Sequence, residues 1–96
     1  MYYIFRNMTE KQLLSELTEL QTSENAYRNW FMIKEYQGRN WVTGELNTYY
    51  SQYWLFDGLT DGCFLTSEEA IANGKRTITT MILRQLQGIK QKIATY

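Results

Sequence analysis

Histidine and proline are absent from this 96-residue sequence, and cysteine occurs once, at Cys63. Without histidine, zinc and copper sites and the commonest acid–base mechanisms lose their usual side chain. A single cysteine excludes an intrachain disulfide and a cysteine-cluster zinc site, and it reads as a small buried hydrophobe in a reducing compartment. Net charge is missing as well. Ten Lys and Arg balance ten Asp and Glu, so no bulk field draws the chain to nucleic acid or an anionic membrane. The same balance removes electrostatic protection against self-association. No cationic start leads into an apolar run, and no stretch approaches membrane-spanning length. A cytoplasmic protein away from the membrane is the expectation.

What the chain has in excess is aromatic residues, at 16%. Five of the twelve residues in "NTYYSQYWLFDG" (47–58) are rings: Tyr49, Tyr50, Tyr53, Trp54 and Phe56. Ninety-six residues suit one domain with a modest core, so residues 1–96 are read as a single unit. There is no internal repeat, linker or low-complexity tract.

Two helices are legible. In "TEKQLLSELTELQ", Thr9 and Gln12 have capping-box spacing, and Leu13, Leu17 and Leu20 recur on one face with Leu14 widening it. "TSEN" (22–25) ends that helix. Near the C-terminus, Thr66 and Glu69 form a second capping box, with Leu65 in the staple position. Ile71, Ile78, Ile82, Leu86, Ile89 and Ile93 then share one face of a helix of more than about 20 residues. Glu68 and Glu69 suit the positive end of its dipole. Gly74 and Gly88 either weaken it or permit close packing.

Between the helices the period falls to 2. "YRNWFMIKEY" (27–36), "WVTGEL" (41–46) and "YYSQYWLF" (49–56) read as strands, joined by "QGRN" and by a tight connection at Asn47 and Thr48. "DGLTDG" (57–62) carries two Asp-Gly turn signals, and "CFL" offers a short fourth strand. "MYYIF" at the start reads as a strand or a packed tail, and Met8 is an equally plausible start. The predicted fold is therefore a small α+β domain: N-terminal helix, three- to four-stranded antiparallel meander, long C-terminal helix. This α-β-β-β-α order resembles that of double-stranded-RNA-binding domains in element order alone. Where those domains carry lysines, this chain reads "SEEAIANGKR".

Chemistry is sparsely represented. Glu35, Glu45, Asp57 and Asp61 are the candidate acids or bases, with no nucleophile elbow or phosphate-cradling loop beside them. "DGLTD" lacks the spacing and closing glutamate of a calcium loop. The expectation is no enzyme, no cofactor and no metal.

The rings are more informative. Period 2 sends Tyr49, Ser51, Tyr53 and Leu55 to one face and Tyr50, Gln52, Trp54 and Phe56 to the other. Neither face is polar, although a sheet wetted on one side should alternate. Either helices bury both faces, or one face meets another protein, most simply a second copy in a homodimer. Trp30, Tyr50, Trp54 and Phe56 are the interface candidates, with Arg84 as a polar anchor. A regulator, an assembly factor or a phage-type inhibitor would all have this character. The alternative is nucleic-acid binding by the last helix, which after Glu69 has Lys75, Arg76, Arg84, Lys90 and Lys92 but no acid. Base stacking on the sheet is disfavoured, because its neighbours are Glu45, Asp57 and Asp61 rather than cations.

Overall fold

A computed structural model of the chain describes residues 8–94, with side chains through residue 89. The expected N-terminal strand, and Ile93, Lys90 and Lys92 as side chains, lie outside these described residues. Helix α1 spans Glu10–Thr22 and is opened by the anticipated capping box. Gln12 N–H donates to Thr9 Oγ1 at 3.1 Å, and Thr9 N–H donates to Gln12 Oε1 at 2.8 Å. Two orphan donors of the first turn are thereby satisfied. Leu13 and Leu20 are buried, whereas Leu14 stays exposed on the flank.

A 3₁₀ turn over Ala26–Asn29 follows, and strands β1 (Phe31–Arg39), β2 (Leu46–Trp54) and β3 (Thr60–Phe64) make an antiparallel meander in the order β1-β2-β3. Helix α2, Ser67–Ala94, closes the fold. Its hydroxyl cap forms as expected, with Glu69 N–H donating to Thr66 Oγ1 at 3.1 Å. Leu65 is exposed rather than stapled. The α+β fold and its α-β-β-β-α order are those predicted, with three strands.

The strands occupy different residues from those expected. Tyr27 is buried in the 3₁₀ turn, where Trp30 N–H donates to Tyr27 O at 2.9 Å. "QGRN" does not turn: β1 runs on through Gly38 to Arg39. The turn lies in "NWVTGE", and Asn47 and Thr48 are paired within β2 opposite Gly38 and Gln37. Trp, Val and Thr favour strands, but Asn40 overrides them. Its side-chain Oδ1 accepts from Val42 N–H at 2.8 Å and Thr43 N–H at 3.0 Å. Gly44 completes the loop at φ 74°, a conformation costly for any residue with a Cβ.

Of the two Asp-Gly pairs, only the first makes a turn. Asp57 Oδ1 accepts from Leu59 N–H at 2.9 Å, and Gly58 has φ 73°. Gly62, at φ 84°, sits instead within β3, where the pairing with β2 shifts register between Tyr50 and Gln52. Such a bulge moves the following side chain to the opposite face.

The core lies between the two helices and one face of the sheet. Leu13, Leu20, Tyr27, Phe31, Trp54, Ile78, Met81, Ile82 and Leu86 form one buried cluster. Phe31 is its hub, with ring centroids 5.1 Å from both Tyr27 and Trp54.

Candidate protein interface

The register of β1 on β2 decides which rings are buried. Directly opposed residues share a face, and Phe31 opposes Trp54, Ile33 opposes Gln52, and Glu35 opposes Tyr50. This face lies under the helices. Trp54 is only 2% exposed, and buried Gln52 reaches into α2, donating to Ala70 O at 2.6 Å and to Asn73 Oδ1 at 3.1 Å. Trp54, an interface candidate from the sequence, is buried instead, and Gln52 with it. The correction has a packing cause: both faces carry large rings, and the helices cover the one containing Phe31.

The five residues singled out from sequence are not brought together on one surface. Trp30 and Phe56 are half-buried against the core, and Phe56 packs on Trp54 at 5.5 Å. Tyr50 is half-buried on the covered side. Arg84 is exposed on α2, along the polar stripe it shares with Arg76, Thr80 and Gln87.

The open face is the odd-numbered side of β2 with the even-numbered side of β1. Met32 opposes Tyr53, Lys34 opposes Ser51, and Tyr36 opposes Tyr49. Among the described residues no helix covers them. Met32 is 57% and Tyr36 40% exposed. The Tyr36 and Tyr49 rings lie 5.8 Å apart, tilted by 32°. Lys34 Nζ stands 5.6 Å from the Tyr53 ring centroid, within cation–π range. Ser51, small enough to sit among these larger side chains, is buried and donates to Gly62 O at 3.0 Å.

Cys63 lies on this open side too, exposed rather than buried as its type suggested. The bulge at Gly62 explains the change of face. The neighbouring Cys63 side chain pushes the Tyr36 phenol above its ordinary pKa, while Ser51 pulls in the opposite direction. With Tyr36, Tyr49 and the loop, Cys63 lines an open cleft of about 670 Å³.

The hairpin tip extends this surface. Trp41 is 102% and Val42 92% exposed, and Leu46 at the foot of the loop is also exposed. Their backbone is nonetheless well fixed. Asn40 caps the loop, Gly44 N–H donates to Asn40 O at 2.9 Å, Asn40 N–H donates to Glu45 O at 2.8 Å, and Arg39 Nη1 bonds the Gly44 carbonyl. A tryptophan on a pre-shaped loop needs little backbone ordering on binding, which favours a contact residue. Sequence reading missed Trp41 because it placed it inside a strand. The local signal was Asn40 and Gly44 bracketing three loop residues.

No protein-family model, curated protein or solved structure matches this chain. Among the described residues there is no group of side chains suited to hold a metal, and no helix long and apolar enough to cross a membrane.

Proposed function

We propose that this chain is a non-enzymatic cytoplasmic protein that binds another protein, through the open sheet face and the Trp41 hairpin. The observation that carries the reading is Trp41 itself, wholly exposed on a loop held by Asn40 and Arg39. Exposed large apolar side chains in contiguous patches mark interaction sites, and tryptophan and tyrosine dominate binding hot spots. Met32, Tyr36 and Tyr49 continue the patch along the strands. Lys34 adds one cation, which supplies orientation rather than affinity.

The partner in its simplest form is a second copy, making a homodimer, and a distinct protein partner would give a regulator, an assembly factor or an inhibitor. The residues first favoured keep supporting places: Trp54 and Trp30 hold the sheet on the helices, and Tyr50, Phe56 and Arg84 lie outside the open patch. An exposed free thiol at Cys63 suits a reducing compartment.

The basic helix gives weaker grounds for nucleic-acid binding. Lys75 is already 5.8 Å from the Tyr27 ring centroid, and Glu68 and Glu69 occupy the first turn. The test is capture of a partner by the wild-type chain against W41S and Y36S. Loss of the partner with both variants, but not with an Arg76 and Arg84 double substitution, supports the reading. Equal capture by all of them removes it.

A further inference from the structure

β1 is an outer strand of the sheet, and two bonds reveal which of its backbone groups face outwards. At one end Asn40 N–H donates to Glu45 O at 2.8 Å, and at the other Leu55 N–H donates to Trp30 O at 3.1 Å. Both pairs continue the register that sets Phe31 opposite Trp54 and Arg39 opposite Leu46. Antiparallel strands exchange bonds at alternate residues. The even-numbered residues of β1 therefore bond β2, and Ile33, Glu35, Gln37 and Arg39 turn their N–H and C=O groups to the outer edge, which no strand pairs among the described residues.

This edge has few of the usual guards against pairing. No register shift interrupts β1 against β2, and the strand contains no proline. Glu35, Tyr36, Gln37 and Arg39 are all exposed, beyond the part of the strand under the helices. What remains to choose a partner is the charge pattern along the edge.

We propose that a second copy of this chain adds to the outer edge of β1, antiparallel and centred on Gln37, giving one continuous six-stranded sheet. The proposal deepens the homodimer form of the function above and rests on that form alone. In this register Gln37 meets Gln37, and Glu35 of each copy lies opposite Arg39 of the other. Two opposite-charge pairs form, and the three outward-facing pairs exchange about six backbone hydrogen bonds. Arg39 has donors to spare, because its bond to the Gly44 carbonyl uses one nitrogen of a five-donor fork.

Neighbouring registers fit less well. Centring on Glu35 sets two carboxylates against each other, and centring on Lys34 sets two ammonium groups together. Centring on Tyr36 forms no ion pair. The Gln37 register has a further consequence at the hairpin tips. Each hairpin tip, which leaves the strand after Arg39, lies towards the Ile33 end of the other copy's β1. The two open faces also join into one.

Cross-linking tests the register in a Cys63→Ser background, which removes the exposed native thiol. Narrow antiparallel pairs hold Cα atoms about 5.5 Å apart, within disulfide reach. Under mild oxidation Q37C is expected to form a covalent dimer, whereas E35C, whose two copies lie about 14 Å apart, is not. In sedimentation equilibrium E35R should weaken self-association by about tenfold, and E35R with R39E should recover it. Both positions are exposed, so circular dichroism is expected to match the wild type. Cross-linking of E35C in place of Q37C overturns the register, and a wild-type chain that stays monomeric overturns the proposal. Neither result touches binding of a distinct protein at Trp41, which the capture experiment reads separately.

Discussion

The Phe31 ring lies against Gly74, where α2 crosses the sheet. A methyl group at residue 74 would stand 2.6 Å from Phe31 Cε1 and 2.8 Å from Cε2, closer than carbon atoms approach. Phe31 is wholly buried and contacts the rings of Tyr27 and Trp54, so it has nowhere to retreat. Glycine at 74 is what lets the helix lie flat on this strand. Gly88 has no such neighbour, with nothing within 4 Å of an added Cβ.

The two glycines should therefore respond oppositely to the same substitution. Gly74→Ala is expected to destabilise by about 1–3 kcal/mol, because overpacking outweighs the gain in helix propensity. Gly88→Ala should stabilise by up to about 1 kcal/mol. Urea titration of both variants measures the pair.

Gln52 is the polar tie between sheet and helix. Gln52→Leu removes one buried and one partly buried hydrogen bond and leaves Asn73 Oδ1 without its Gln52 donor. A loss of about 1–3 kcal/mol is expected. Thermal unfolding checks it, and hydrogen exchange should show faster opening in the first turns of α2.

Glu16 makes stability depend on pH. Burial, and then the nearby Glu19 carboxylate, raise its pKa in the folded chain. A raised folded pKa means the native state holds this proton more tightly than the unfolded chain does. The charge is therefore unfavourable at neutral pH, and the penalty is relieved as pH falls through the raised folded value. Glu16→Gln is expected to stabilise slightly at pH 7 and to lose that advantage towards pH 4, measured as the difference in urea midpoint.

Both helices were legible because their information is local. A capping box and a 3.6-residue stripe sit within each segment, and Thr9 with Gln12 bonds as its spacing implies. The sheet was legible as a class but not in its boundaries. Trp41, Val42 and Thr43 have strand-forming side chains, and the competing signal was two residues, Asn40 and Gly44. The open face was illegible for a different reason. Rings occupy both sides of β2, and only the long-range approach of Phe31 to Gly74 selects the side that α2 covers. Cys63 follows the same pattern, since a bulge at Gly62 sets its face.

Trp41 should matter to binding and not to folding. Its side chain touches no core residue, so Trp41→Ser is expected to change stability by no more than about 0.5 kcal/mol. A hot-spot truncation of about 2 kcal/mol would lower partner affinity roughly 30-fold. Urea titration and binding of the same purified variant measure the two quantities together.

The most direct measurement is quantitative affinity capture from the native host with wild type, W41S and Y36S, read by mass spectrometry after each variant is shown to fold. The expected result is a protein retained by the wild type and lost by both variants, this chain itself counting as one such protein. A capture profile that does not change when Trp41 and Tyr36 are replaced would contradict binding through the open face and hairpin.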